Sequence, residues 1–492
     1  MLTQLFPYFL MFILCGGILA GTYRALGGLK IPAWVWRVVL VAVILRFGAG
    51  VLWYVGLPQW GYDTDVQNAG YVMEDAFQRD TAAWELSQAN EPLFRAFTAY
   101  NGADQYGGML FISAFVYRYL GGNTHQPLLM VMLAATVSAL VVVAGYVFAR
   151  DIFDERVAKW SAWGLALYPE AVLLGSSQMR EAFFMPLVAF GIFAFIQFLR
   201  TRRRVLLLWL VLLFVVMFPI SPPLTAVWVV ILVLITLFRE DWLRNWRLWA
   251  GLGGALGLIV AGLWLGWDFI APRFPRENFS SPVELLSFWL QWTTRWQFSL
   301  TADASGWLQK VLAVIPDALD QPFIVGYGIT RPLLPAALVA SGAWFWRIIV
   351  VWRALGWTIL LGLLAYTPFR MLQVKERTRL WTGLLLAVWA GIVFASIWGG
   401  GDMWDNPRYR VVFIGLQIPL AVWAVISYLR QPDRWLLRAA VVVGIMLAYF
   451  LPWYLRRYTP LIWPVVDLFK LITLGGMTGA LYLLWDWAGE NP

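Results

Sequence analysis

Three groups of ionisable residues interrupt a chain that is otherwise strongly apolar. The first follows the second apolar run: Asp63 and Asp65 in Gly61-Tyr62-Asp63-Thr64-Asp65, then Glu74 and Asp75, then Asp80 in Arg79-Asp80-Thr81-Ala82-Ala83-Trp84. The second is Ser176-Ser177-Gln178-Met179-Arg180-Glu181, with Glu170 just upstream in Tyr168-Pro169-Glu170. The third runs from Gly399-Gly400-Gly401-Asp402 through Trp404-Asp405-Asn406-Pro407 to Arg408-Tyr409-Arg410. A positioned carboxylate can take a proton from a hydroxyl. A guanidinium offers two parallel donors to phosphate oxygens. Each group also has a purely structural reading. Asp63 or Asp65 can cap a helix beginning near Val66; Glu170, Arg180 and Glu181 can lock two helices as an ion pair; Arg408 and Arg410 can anchor at the membrane surface beside Asp402 and Asp405.

Several chemistries are excluded. His125 is the sole histidine and Cys15 the sole cysteine, which rules out zinc sites, His-based triads and an internal disulfide. No phosphate-cradling glycine loop or nucleotide fingerprint is present, so ATP-driven transport by this chain alone is not expected. The net charge of +9 reads as cytoplasmic topology signals, not as nucleic-acid binding.

The elements that must position these groups are membrane spans. With 492 residues, 61% hydrophobic and 13% charged, and a mean hydropathy of +0.68, the chain reads as an all-α polytopic membrane protein. Apolar runs predict about thirteen transmembrane helices, near 3–20, 33–56, 126–149, 157–175, 181–199, 205–219, 223–238, 247–268, 350–368, 380–397, 410–428, 435–452 and 464–485. Basic connectors at Arg150/Arg156/Lys159, Arg200–Arg204, Arg239/Arg244/Arg247, Arg370–Arg379 and Arg430/Arg434 all fall on one side of that arrangement. With that side cytoplasmic, the N-terminus is outside, the C-terminus (486–492) inside, and two long loops, 57–125 and 269–349, are extracytoplasmic. The setting expected is a prokaryotic inner membrane. Residues 1–20 lack a basic n-region and read as a retained helix. Residues 66–97 read as an acidic helical stretch, and 107–120 as a helix lying along the interface. The patterns Leu285/Trp289/Trp292/Trp296 and Trp307/Val311/Ile315/Leu319 predict further helices at headgroup level, and 332–349 reads as re-entrant or interfacial.

Four features then resemble the GT-C membrane glycosyltransferases that use polyprenyl-phosphate sugars, nearest the bacterial family 39-like group of protein mannosyltransferases and aminoarabinose transferases. These are Asp63-Thr64-Asp65 opening the first outer loop, and Gln105-Tyr106-Gly107-Gly108 through Tyr119-Leu120-Gly121 as a juxtamembrane segment. The others are Phe153-Asp154-Glu155-Arg156 leading to Ala166-Leu167-Tyr168-Pro169 and Arg180-Glu181, and Arg408-Tyr409-Arg410 opening a late helix. The chain departs from that pattern in lacking the juxtamembrane prolines, in Gln126 where an arginine is expected, and in residues 1–32, which look like an added helix ahead of a core at 33–485.

The resemblance implies inverting sugar transfer from a polyprenyl-phosphate donor to an acceptor hydroxyl at the outer membrane face. It implies Asp63 as the base, with Asp65 and Asp80 as alternatives. Arg180, Glu181, Arg408, Arg410, Tyr106 and His125 are then candidate contacts to the donor's phosphate and lipid. Any metal would be Mg²⁺ or Mn²⁺ held by oxygens, with Asp63 and Asp65 as ligands. Two other readings stand beside it. One is a lipid or glycan transporter or flippase, for which Arg46, Arg353 and Lys470 are the candidate deep charges. The other is a non-catalytic membrane scaffold with a transferase-like fold.

Overall fold

The computed structural model describes residues 2–490 apart from Asn101, most of 239–310, and 339–341, 375–378, 400–407 and 457–467. The described residues contain helices and connecting turns and no strand. They divide into two units: Met1–Arg331 with Thr378–Pro419, and Pro332–Arg377 with Leu420–Pro492.

The first unit opens with two long apolar helices, α1 (Leu2–Ala25) and α2 (Ala33–Trp60). A short turn of helix, α3 (Asp65–Asn68), precedes the polar α4 (Glu74–Gln88) and the apolar α5 (Gly108–Leu120). Helices α6 (Leu128–Ala139) and α7 (Val141–Ile152) run on as one apolar segment, Leu128–Ile152. They are followed by α8 (Glu155–Leu167), α9 (Pro169–Gly175), α10 (Arg180–Thr201), α11 (Arg204–Ile220) and α12 (Pro222–Leu237). Further on come α13 (Asp317–Thr330), α14 (Leu334–Leu338), α15 (Trp344–Gln373) and α16 (Arg379–Gly399). The chain ends with α17 (Ile414–Arg430), α18 (Arg434–Leu455) and α19 (Leu468–Glu490).

Among the described residues, eight helices are long and apolar enough to cross a membrane, against the thirteen the apolar runs predict. The remaining predicted spans fall into several groups. The segments α11 and α12 hold 17 and 16 residues, short of the ~20 a bilayer core requires. The predicted span at 157–175 is two helices broken at Tyr168-Pro169. The final helix extends to Glu490, across the predicted start of the C-terminal tail at 486, and is not among the eight. The predicted span at 247–268 and the tryptophan pattern at 285–296 lie largely outside the described residues. The segment 332–349, expected to be re-entrant or interfacial, contains α14 and the first turns of α15. Helix α5 has 13 residues, too few to cross a bilayer core.

The break at Pro169 explains the buried cation of α2. Proline has no N–H, so the Leu165 carbonyl four residues back loses its helical donor. Arg46, fully buried at mid-length of α2, supplies the replacement: its Nη2 donates to the Leu165 carbonyl at 3.0 Å and its Nη1 to Ser138 Oγ at 3.4 Å. No carboxylate faces Arg46 among the described residues. Space for the side chain comes from Gly175, where a Cβ would lie 2.7 Å from Arg46 Cδ. Beside it Trp53 Nε1 donates to Ser176 Oγ at 2.7 Å, which ties the far end of α2 to the turn after α9. That turn leads directly into Arg180-Glu181.

In the second unit, Arg370 of α15 donates to Asp433 at 3.0 Å and to the Ser427 side chain and carbonyl, both at 2.8 Å, while Tyr366 donates to the same carboxylate. Arg438 and Asp486 join α18 to α19 at 2.6 Å.

Candidate active site

The first-loop acids sort into different environments. Asp63 is exposed and accepts a hydrogen bond from Asn68 Nδ2 at 2.8 Å. Thr64, not either aspartate, is the N-cap of α3, accepting from the Gln67 N–H at 3.3 Å. Asp65 is the exposed first residue of that helix, where its charge faces the positive helix end.

Asp80 is fully buried on α4. Its carboxylate receives the Tyr71 and Tyr117 hydroxyls and lies 2.7 Å from His125 Nε2. The His125 ring stacks on Trp84 at 5.2 Å and 19°, one helical turn beyond Asp80. Burial, and then the Asp80 charge, push the Tyr71 hydroxyl well above its usual value, so it remains a donor. Asp80 thus binds together α4, α5 and the loop bearing His125.

A second cluster gathers three arginines and three acids from four stretches of chain. Asp75, in the first turn of α4, receives a hydrogen bond from Arg408 Nη2. Arg408 Nε also lies 3.4 Å from Glu181, a carboxylate at 0% exposure whose two oxygens accept no hydrogen bond. Asp104, at 1% exposure, stands 3.7 Å from Arg79 and 3.9 Å from Arg180, and accepts from the Leu110 N–H at 3.1 Å. Arg79 reaches across to the Gln178 carbonyl at 3.0 Å. The Arg180 guanidinium lies 5.2 Å above the Tyr106 ring, a cation–π contact.

Five of these six charged side chains are buried or nearly so; Asp75, with 46% of its side chain exposed, is the one open to solvent. Burial alone would raise its pKa. The Arg408 guanidinium, with Arg79 and Arg180 behind it, more than offsets this and holds Asp75 below the ordinary carboxylate value. Burial pushes the Tyr106 hydroxyl up to about 12, leaving a neutral phenol beside Arg180. Local backbone sets this geometry. Gly107 adopts φ +79° before α5, and a Cβ there would lie 2.5 Å from the Ala96 carbonyl. Only glycine fits, and the turn carries the chain from Asp104-Tyr106 into α5.

Arg410 is engaged differently from Arg408. It meets Glu170 through Nε at 3.3 Å and Nη2 at 3.1 Å, and donates from Nη1 to the Arg331 carbonyl at 2.6 Å. Residues 400–407, including Asp402 and Asp405, lie outside the described residues. No group of three His, Cys, Asp or Glu side chains is placed to hold a metal ion among the described residues.

The structure therefore brings Arg180, Glu181, Arg408 and Tyr106 into one cluster, and His125 with Asp80 into another. The contacts that Asp63 makes are within its own loop. Sequence reasoning passed over Asp104, which has no helical register or motif to mark it. It noted Asp75 without singling it out, though that residue heads an amphipathic helix next to Arg79. No protein-family profile and no curated protein matches the chain. Among solved structures it is similar to the archaeal oligosaccharyltransferase AglB from Archaeoglobus fulgidus, in complex with an inhibitory peptide and a dolichol-phosphate. The identity is 14%, the TM-score 0.43, and the match covers 92% of this chain and 55% of that one. The chain thus spans about half the length of that protein.

Proposed function

We propose that this multi-pass membrane protein is a GT-C-type glycosyltransferase that moves a sugar from a polyprenyl-phosphate donor to an acceptor hydroxyl at the extracytoplasmic face. The observation that carries this reading is Asp75, a half-exposed carboxylate held ionised beside Arg408 with Arg180 and Arg79 behind it. The arginines supply fixed positive charge for a leaving phosphate. The carboxylate supplies the base.

Asp75 accepts the proton of the acceptor hydroxyl, whose oxygen bonds to the anomeric carbon. The bond from that carbon to the phosphate oxygen breaks, and polyprenyl phosphate departs with the electron pair against Arg408 and Arg180. A single displacement inverts the anomeric centre. Glu181 and Asp104 orient the guanidinium groups, and Tyr106 packs on Arg180. The Asp80–His125–Trp84 group, with Tyr71 and Tyr117, holds α4 and hence Asp75 in position. Asp63, which the family resemblance favours as base, and Asp65 are the comparison residues.

The test is transfer from radiolabelled lipid-linked sugars by the purified protein. Asp75→Asn is expected to lower turnover by about 10²–10⁴-fold with folding retained, and Arg408→Gln to lower it comparably. Asp63→Asn is expected to keep most of the activity. Wild-type turnover in Asp75→Asn would overturn the assignment of the base. No transfer by wild-type protein across a panel of polyprenyl-phosphate and polyprenyl-diphosphate sugars would overturn the function.

A further inference from the structure

A cavity lies near the start of α2, with no part in the chemistry above. It measures about 480 Å³ and is lined by Trp34, Arg37, Val38 and Val41 of α2 with Glu155, Lys159 and Trp163 of α8. From Arg37 to Trp53, which is tied to the turn before Arg180, α2 rises about 24 Å at 1.5 Å per residue. The cavity is therefore close to a membrane thickness away from the candidate site, toward the opposite face.

Its lining combines two cations with an apolar wall. Arg37 and Lys159 are exposed and neither has an ion pair or hydrogen-bond partner among the described residues. Glu155 is different, since it accepts the Tyr146 hydroxyl at 2.7 Å. Two cations and one carboxylate leave the cavity with one excess positive charge. Val38, Val41 and the two indoles make the remaining wall apolar, and tryptophan favours the headgroup level. An arginine and a lysine at the rim of an apolar groove between α2 and α8 suit a phosphate head with acyl chains beneath it.

We infer that this cavity is a binding site for an anionic phospholipid carrying a single phosphodiester charge. The phosphate sits between Arg37 and Lys159, and an acyl chain lies along Val38, Val41 and Trp163. One negative charge neutralises the pocket. A zwitterionic choline lipid leaves the excess cation unmatched. A soluble phosphate compound could satisfy the cations but would leave the apolar wall uncovered, and for that reason the occupant is a membrane lipid.

The experiment is native mass spectrometry of the full-length protein, together with its thermal unfolding in nanodiscs. Phosphatidylglycerol, phosphatidylcholine and the water-soluble headgroup glycerophosphoglycerol are compared. Wild type is expected to retain phosphatidylglycerol about tenfold more than phosphatidylcholine and to melt higher in its presence. The Arg37→Gln/Lys159→Gln double variant should fall to the phosphatidylcholine level. Val41→Trp, which fills the groove and keeps both charges, should do the same, while Arg202→Gln/Arg203→Gln on an exposed connector should match wild type. Equal retention of the two lipids by wild type, or undiminished phosphatidylglycerol binding by both groove variants, would overturn the proposal. A stabilisation by glycerophosphoglycerol as large as that by the lipid would overturn the lipid as occupant.

Discussion

Arg410 and Glu170 meet side-on, 240 residues apart in the chain, with both side chains 1% exposed. A buried pair of this kind is costly to break from one side, because the surviving charge has no water to return to. Glu170→Gln is therefore expected to destabilise the protein by about 3–5 kcal/mol, while replacing both partners with apolar residues should cost less. Detergent-solubilised thermal unfolding of the single and double variants checks this. If Glu170→Gln alters turnover and leaves unfolding unchanged, Arg410 belongs to the chemistry and not to the framework.

The ion pair of Asp75 with Arg408 fixes the direction of a pH effect. Asp75 is held below its unfolded value of ~3.9, so its stabilising contribution is full above that value and is lost as pH falls through the lower, folded one. Titration of Asp75 should not limit transfer between about pH 5 and 8. In Arg408→Gln the acid limb of the pH–rate profile should shift upward, because the charge that lowers the Asp75 pKa is gone. An unmoved limb would show that Arg408 does not govern the base.

Asp80 makes a separate prediction, since a carboxylate that receives Tyr71, Tyr117 and His125 has little capacity left for a substrate. Asp80→Asn places an amide N–H against hydroxyl donors and should destabilise by about 1–3 kcal/mol. His125→Ala should cost about 1 kcal/mol through the lost stacking on Trp84. Their effects should be strongly non-additive. Additive losses in a double-mutant cycle would mean that the two residues act independently.

Arg46 and Pro169 should also be coupled. Pro169→Ala restores an N–H for the Leu165 carbonyl, so Arg46→Met should be better tolerated in that background than alone. A coupling of about 0.5–3 kcal/mol is expected, read from the thermal stability of the four proteins. A coupling of zero would mean that Arg46 is retained for some purpose other than the Leu165 carbonyl.

Much of the framework was legible in the residues. The helices over 33–56, 181–199 and 380–397 were recoverable because apolar runs near twenty residues have few alternatives. The positions of Arg180-Glu181 and Arg408 at the ends of apolar runs were also readable from the residues. What the sequence concealed was partner choice. Glu170 lies near Arg180 in sequence yet pairs with Arg410, and Glu181 faces Arg408, since helix packing and not proximity along the chain decides which charges meet. Asp80 looked equivalent to Asp63 as a loop acid. Only burial separates an aspartate with three donors from one bonded within an exposed turn.

The join at Tyr168-Pro169 carries an evolutionary corollary. Proline at 169 leaves a carbonyl needing a donor, arginine at 46 meets that need, and glycine at 175 leaves room for the arginine. Losing the proline alone would give the Leu165 carbonyl a competing donor and leave the buried Arg46 short of an acceptor, and a larger residue at 175 would displace it. Across divergent descendants these three positions should be kept or exchanged as a set, even where the surrounding leucines and valines drift freely.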